Sequence, residues 1–162
     1  MHWERDDYCI SDDPARLNVD WICASLHASY WAANRSRDII RQSIERSIPL
    51  GLYKGNAQVG FARWVTDRAT FAWLADVLID PAERGRGLGK WLIECALAHP
   101  DVASCLQLLR TRDAHEFYQQ AGFGPGGCMI RRPPGYPGMI PPEPPSIHES
   151  SKESALKDDG HC

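Results

Sequence analysis

A glycine-rich segment, residues 80–90, carries the residue types best suited to bind an anion. Its glycines stand at alternate positions between an apolar run and a helix-like segment, at Gly85, Gly87 and Gly89. Glycine lets the backbone turn tightly and lets a ligand approach it without a Cβ in the way. The first turn of a helix adds unpaired N–H groups and the positive end of the helix dipole. With Arg84, Arg86 and Lys90 around it, this segment predicts an anion site, most often for phosphate.

The glycine spacing excludes the two commonest nucleotide-binding loops. A Walker A loop needs a glycine where Arg84 stands and a serine or threonine where Trp91 stands. A dinucleotide fingerprint needs its third glycine one residue after Gly89. The spacing that fits is Arg-x-x-Gly-x-Gly, at Arg84, Gly87 and Gly89. This spacing resembles the acetyl-CoA pyrophosphate loop of the GNAT superfamily of N-acetyltransferases.

A second segment, residues 111–123, resembles the later motif of the same superfamily, a short helix that carries a tyrosine and ends at Gly-Phe. The matching positions are Ala114, Phe117, Tyr118, Gly122 and Phe123. Gly122 suits the left-handed residue that follows a helix end. The family usually has asparagine where this chain has Thr111. The resemblance covers roughly residues 50–132 and implies a small single-domain member.

The resemblance implies acetyl-CoA as co-substrate and a primary amine, in a small molecule or a peptide, as acceptor in a ternary complex. The implied pyrophosphate site comprises Arg84, Gly85, Arg86, Gly87, Leu88, Gly89 and Lys90. The backbone of Val77, Leu78 and Ile79 would pair with the pantetheine arm and polarise the thioester carbonyl, and Thr111 would add a polar contact. Tyr118 is the implied general acid for the departing thiolate.

The sequence alone leaves more than one candidate for the general base. Asp76 is a carboxylate within an apolar strand, and we expect burial to raise its pKa toward a useful value. Strand alternation places it on the face of Ala72 and Leu74 unless a bulge intervenes. The alternatives are a structural hydrogen-bonding role for Asp76, His115 as the base, and a relay of ordered water.

Aromatic residues mark a candidate acceptor site. The loop between the first two predicted helices holds Tyr30 and Trp31, and Trp73 lies on the strand that feeds the glycine loop. Aromatic rings bind apolar or cationic groups. The net charge of −3 mildly favours an amine over an acidic acceptor.

The elements that must position these residues form an alternating pattern. Helices are predicted from Asp12-Asp13-Pro14 through Leu26, from Ser36 to the residue before Pro49, and over 88–99 and 113–121. Strands are predicted at 8–11, 50–53, 58–66, 70–79, 105–110 and 128–131. Tight connections predict an antiparallel meander for the second to fourth strands, and a βαβ unit predicts parallel strands at 70–79 and 105–110. The fold class is therefore mixed α/β with a largely antiparallel sheet and helices on both faces. The resemblance implies that the parallel pair is splayed.

Composition restricts the domain count, the ligand classes and the cellular location that the sequence predicts. The 162 residues suggest one domain at 1–132, followed from residue 133 by a proline-rich polar tail that we expect to be disordered. No basic block indicates nucleic-acid binding, and no apolar run is long enough to span a membrane. The N-terminus lacks signal-peptide order, which favours the cytoplasm. Six scattered cysteines without a Cys-x-x-Cys pair indicate reduced thiols, mostly in the core, and no metal. A monomer or homodimer is expected.

Two other functions compete with amine acetylation. A CoA-binding module without transferase activity would keep the loop and lack a competent acid or base. A toxin-like acetyltransferase of aminoacyl-tRNA would need a broad basic face, which the net charge of −3 argues against.

Overall fold

A computed structural model describes residues 1–131 of the chain. In chain order the strands are β1 (His2–Arg5), β2 (Tyr8–Ser11), β3 (Ile48–Lys54), β4 (Ala57–Thr66), β5 (Phe71–Ile79) and β6 (Leu106–Leu109). The helices are α1 (Val19–His27), α2 (Arg37–Glu45), α3 (Leu88–Leu97) and α4 (His115–Gln119), with 3₁₀ turns at Pro14–Arg16 and Pro81–Glu83.

The strands form one sheet in the order β1-β2-β3-β4-β5-β6. Every neighbouring pair is antiparallel except β5 and β6, which are parallel and joined through α3. The predicted meander, the predicted parallel pair and the mixed α/β class are therefore confirmed.

Two apolar cores cover the two faces of the sheet. On one face α3 packs Leu88, Leu92 and Ile93 against inward-facing residues of β3, β4 and β5. On the other face α1 and α2 pack around Phe61 of β4. Ile40 and Ile44 lie one turn apart on α2, so both side chains reach this second core. Each fully buried aliphatic side chain contributes about 1.5–3 kcal/mol, so the helices are fixed mainly by packing against the sheet.

Capping side chains set where α1 and α2 begin. The side chain of Asn18 accepts a hydrogen bond from the backbone N–H of Trp21, and Ser36 does the same for Ile39. The cap at Ser36 confirms the predicted start of α2. The predicted start at Asp12-Asp13-Pro14 begins only a 3₁₀ turn, because Asn18 caps the α-helix further along.

Two predicted elements differ in the structure, and one strand was not predicted. Ile48 was assigned to α2 and instead begins β3, where it pairs with Trp64 of β4. The strand β1 was not predicted, because its sequence His-Trp-Glu-Arg is mostly polar. The strand predicted at 128–131 is wrong: residues 124–131 have no regular structure, and all of these residues are exposed. The predicted tail at 133–162 lies outside the described residues.

The sequence predicts no membrane-spanning segment and no metal site, and the structure bears on these two predictions over residues 1–131. In that range no helix is long and apolar enough to cross a membrane. The same range holds no group of three or more His, Cys, Asp or Glu side chains placed to bind a metal ion. Cys23 and Cys95 are buried free thiols, as predicted, whereas Cys128 is exposed.

Candidate active site

The glycine loop joins β5 to α3 in the conformation that an anion site requires. Gly85 and Gly87 have φ angles of 77° and 72°, and Gly87 is the N-cap of α3. L-residues with a side chain rarely adopt this left-handed region, so both positions require glycine. A Cβ added at either glycine would meet nothing within 4 Å, so open space lies in front of the loop backbone. The loop therefore offers an accessible cradle beside the N-terminus of α3, which fits a pyrophosphate.

A cavity of about 560 Å³ connects this loop to α4. The predicted cofactor residues that line it are Val77, Ile79, Arg84, Gly85, Gly87, Leu88, Gly89 and Lys90. Tyr118 lines the same cavity from the α4 side. The two sequence motifs, residues 80–90 and 111–123, thus face each other across one space.

Three predicted cofactor residues do not line this cavity. The side chain of Leu78 packs against the core formed by α1 and α2. Arg86 forms an ion pair with Glu83, at 3.3 Å between Nε and Oε2. The Thr111 hydroxyl oxygen accepts a hydrogen bond from the backbone N–H of Ala114 at 3.0 Å, so it caps the turn that leads into α4. The side chain of Thr111 therefore shapes the local backbone.

The gap that the resemblance implies lies between β5 and β6. Their pairing runs from Phe71 with Leu106 to Leu74 with Leu109 and stops there. Strand β5 continues five residues further, to Ile79, without β6 beside it. Val77 and Ile79 of this stretch, which β6 does not flank, line the cavity. The backbone edge of β5 is thus available to an extended ligand there.

A β-bulge interrupts β5 at the same level. Arg63 pairs with Ala75, and Phe61 pairs with Leu78, so Asp76 and Val77 together oppose the single residue Ala62. Asp76 has a φ angle of 54°, the left-handed conformation. The bulge reverses the alternation of side chains, so Asp76 points to the α1/α2 face and Val77 to the cavity. Asp76 therefore does not share the face of Ala72 and Leu74, and the bulge is the exception to strand alternation that the sequence left open.

Asp76 is held between two arginines. Arg35 Nη1 donates to both carboxylate oxygens at 2.8 and 3.0 Å, and Arg63 Nε donates to Oδ2 at 2.7 Å. Burial acts to raise the pKa of Asp76, but the charges and hydrogen bonds of Arg63 and Arg35 outweigh it and lower the pKa. The raised pKa predicted for Asp76 is therefore wrong. Its carboxylate is a fixed anion, the structural alternative left open by the sequence.

The Tyr118 hydroxyl lies in a mostly apolar setting. Its ring packs edge-on against Phe117 and Phe123, with centroids 5.0 and 6.0 Å away. Burial, with smaller contributions from Tyr30 and Asp113, raises the pKa of Tyr118 to about 12. The phenol is therefore protonated at neutral pH and keeps its O–H available to donate a hydrogen bond or a proton.

The predicted acceptor residues are divided between surface and core. Tyr30 lies under the Arg112 guanidinium, 3.7 Å from Cζ to the ring centroid, and its hydroxyl donates to Asp113 at 3.3 Å. Trp31 packs edge-on against Tyr30 and contacts the α1/α2 core. Trp73 is half-buried on β5 opposite Val65. The structure thus brings Tyr30, and not Trp73, to the segment that precedes Tyr118.

The comparisons with known proteins agree with this geometry. A family model described as "Acetyltransferase (GNAT) domain" matches residues 46–125. The fungal protein "Putative acetyltransferase FG08082" of Gibberella zeae is 34% identical over 145 residues, which span 75% of this chain and 82% of that protein. The chain belongs to the GNAT acetyltransferase family. Members of this family generally use acetyl-CoA, which fits the open cradle at Gly85 and Gly87.

Other GNAT relatives differ in how much of their length the chain covers. A GNAT-family protein from Xanthomonas campestris pv. campestris, known from a crystal structure, is 35% identical in sequence to this chain, and the two structures superpose with a TM-score of 0.75. The match covers 79% of this chain and 94% of the Xanthomonas chain. The soybean protein "Histone acetyltransferase TAP1" is 40% identical over 115 residues. That match spans 67% of this chain and only 42% of the soybean protein.

Glu83 is a site residue of this GNAT protein that was not predicted from its sequence. Glu83 lines the cavity and accepts hydrogen bonds from the Tyr8 hydroxyl at 2.7 Å and from Lys54 Nζ at 3.1 Å. These bonds lower the pKa of Glu83. Arg5 braces the same loop by donating to the backbone oxygen of Arg86 at 3.2 Å. Glu83 lies inside the glycine-rich segment, but its partners Tyr8 and Lys54 come from β2 and β3, which local sequence does not indicate.

Proposed function

We propose that this protein is an N-acetyltransferase that moves the acetyl group of acetyl-CoA to a primary amine by direct attack within a ternary complex. The observation that carries the proposal is a single cavity that joins the glycine loop, the bulged strand β5 and Tyr118. Direct attack needs no covalent enzyme intermediate when both substrates are bound together.

The loop and β5 would hold the cofactor. The N–H groups at the start of α3, with Arg84 and Lys90, would bind the pyrophosphate. Arg84 is already oriented, because its Nε donates to the Ile79 carbonyl at 3.2 Å. The unpaired edge of β5 beyond Leu74 would receive the pantetheine arm, and the bulge would leave a backbone N–H for the thioester carbonyl. A fixed donor at that oxygen stabilises the oxyanion that develops in the transition state.

Tyr118 would assist departure of the CoA sulfur. An ordinary thiol has a pKa of about 8.5, well below the value of about 12 for the Tyr118 phenol. Complete proton transfer from the phenol to the thiolate is therefore unfavourable. The phenol would instead stabilise the departing sulfur by donating a hydrogen bond as negative charge develops on it.

The proton of the attacking amine would leave through water. Asp76 is unsuited as a base because two arginines hold it as an anion of lowered pKa. His115 is exposed on α4, outside the cavity lining. Glu83 is the one carboxylate among the described residues that line the cavity, and it is tied to Tyr8 and Lys54 at the loop. Neither Asp76 nor Glu83 is thus free to act as a base, and His115 is exposed to solvent, which supports a water relay.

A thiol-release assay tests the proposal. Purified protein is given acetyl-CoA and, separately, amino acids, small amines, polyamines and lysine peptides, and product mass shows whether nitrogen is acetylated. We expect amine-dependent release of CoA with an N-acetyl product. Acetyl-CoA binding, shown by a rise in Tm, without release for any amine would support the module that binds CoA without transferring its acetyl group.

A protein lysine is the second candidate acceptor. The observation that favours it is the 40% identity to the soybean protein named as a histone acetyltransferase. Because the chain spans only 42% of that protein, its acceptor does not carry over directly. The lysine-peptide arm of the assay distinguishes this candidate from a small-molecule amine.

A further inference from the structure

Arg35 and Arg63 carry more positive charge than their surroundings balance. Within residues 1–131 their one carboxylate partner is Asp76, and the side chains of Arg35, Arg63 and Asp76 are only 17%, 10% and 2% exposed. Two guanidinium groups and one carboxylate leave one positive charge in excess in a largely desolvated place. Charges in such places are normally neutralised by a partner. The cluster is therefore suited to receive one further anion.

The arginines also retain unused hydrogen-bond donors. All of their bonds to Asp76 come from Arg35 Nη1 and Arg63 Nε. The other guanidinium nitrogens of both residues donate to no group in residues 1–131. Within that range the Tyr53 hydroxyl is the only buried side-chain polar atom without a partner, so these nitrogens reach solvent. A guanidinium with free N–H groups matches the oxygens of a carboxylate or a phosphate.

The cluster lies beside the reaction site but on the opposite face of β5 from the cofactor cavity. Asp76 immediately precedes Val77, whose side chain lines the cavity, and consecutive Cα atoms are about 3.8 Å apart. The bulge turns the arginine-bound carboxylate toward α1 and α2, away from that cavity. A ligand bound to Arg35 and Arg63 would thus approach from the side that the cofactor leaves open.

We infer that the acceptor amine also carries an oxyanion, either a carboxylate or a phosphate, that binds to Arg35 and Arg63. This inference rests on the proposed N-acetyltransferase function and narrows its acceptor class. The local excess of positive charge outweighs the net charge of −3, which by itself favours a plain amine. The same excess disfavours the lysine-rich, basic peptides of a histone tail.

Matched pairs of amines test the inference. Glycine is compared with glycinamide, and phosphoethanolamine with ethanolamine. For each compound kcat/KM is calculated from the concentration of the unprotonated amine. We expect at least a tenfold preference for the anionic member of one pair, and the preferred pair distinguishes a carboxylate from a phosphate. Arg63→Met should abolish that preference and leave the KM for acetyl-CoA unchanged. Arg41→Met, at an exposed position of α2, removes the same charge and should retain the preference.

The outcomes separate this inference from the proposed function. Equal or better turnover of the neutral members overturns the inference, whereas the turnover itself upholds N-acetylation. If no amine is turned over, the function fails, and calorimetry of glycine and phosphoethanolamine with the CoA-loaded protein decides the inference. Binding that Arg63→Met abolishes supports it, and no binding overturns it. If Arg63→Met does not fold, Arg35→Lys replaces it, because lysine keeps the charge and loses the planar fork of donors.

Discussion

Asp76→Asn distinguishes a structural carboxylate from a catalytic base. The substitution keeps the shape of the side chain and removes its charge, which leaves Arg35 and Arg63 without an anion. Removing one partner of a buried ion pair costs about 3–5 kcal/mol. The arginines keep some access to solvent, and the asparagine oxygen can still accept a hydrogen bond. We therefore expect a loss of about 3 kcal/mol in the free energy of unfolding at pH 7.

The pH dependence of this loss follows from the lowered pKa of Asp76. A carboxyl whose pKa is lower in the folded state stabilises the protein above its unfolded value, which is 3.8 for aspartate. That contribution is lost as the pH falls below 3.8 through the folded pKa. The difference between the parent protein and Asp76→Asn should be complete at pH 7 and should shrink below about pH 4.

Urea unfolding followed by tryptophan fluorescence measures both quantities. Asp7→Asn, at an exposed turn position, is the control and should change stability by less than about 0.5 kcal/mol. A loss below about 1 kcal/mol at pH 7, or a loss that persists undiminished in acid, would refute the ion-pair argument.

The turnover rate of Asp76→Asn tests whether Asp76 is the catalytic base. A general base contributes about 10²–10⁴-fold to the rate, and its removal abolishes the acid limb of the pH–rate profile. If Asp76 is structural, folded Asp76→Asn keeps that limb unchanged in position. Loss of the limb in a protein that still binds acetyl-CoA would make Asp76 the base and would contradict the water relay.

Three further predictions concern Tyr118, the cofactor loop and the tail. Tyr118→Phe should lower turnover at least about tenfold, measured in single-turnover experiments, with acetyl-CoA affinity unchanged, because a hydrogen bond to a charged group is worth about 1.5–3 kcal/mol; parental turnover would make Tyr118 a packing residue. Gly87→Val should weaken CoA binding in calorimetry, because φ at this position is 72°, whereas Gly124→Ala, at an unstrained and open position, should not. Unchanged CoA affinity in a folded Gly87→Val protein would rule out the loop assignment. Ending the chain after Pro134 should leave Tm and CoA binding unchanged in a thermal-shift assay, and a large fall in Tm would place the domain boundary later.

The parts of the fold that sequence predicted are those encoded by neighbouring residues. The glycine loop follows from the spacing of Gly85, Gly87 and Gly89, and the start of α2 follows from the cap at Ser36. Ile48 was misassigned because it continues the four-residue spacing of Ile40 and Ile44. Its pairing with Trp64 of β4 overrides that local pattern.

The site was harder to predict where it depends on distant residues. The arginines that bind Asp76 lie 41 and 13 residues away along the chain, and nothing in the local sequence indicates them. The bulge changes the face on which Asp76 lies, so strand alternation gave the wrong side. Without those partners only the burial of Asp76 could be considered, and burial alone predicts the opposite direction of its pKa shift.

The register of β4 and β5 shows which residue of the site is the additional one. From Thr66–Ala72 to Arg63–Ala75 the residue numbers of each pair add up to 138, and from Phe61–Leu78 onward they add up to 139. Between these two stretches β5 therefore contains one residue more than β4. A chain that lacked Asp76 would keep one continuous register, with Val77 opposite Ala62 and both Val77 and Ile79 still facing the cavity. The ladder can therefore close without Asp76. In this sheet the inserted residue provides a break in the backbone pairing beside the cavity and the anion that holds two arginines on the other face.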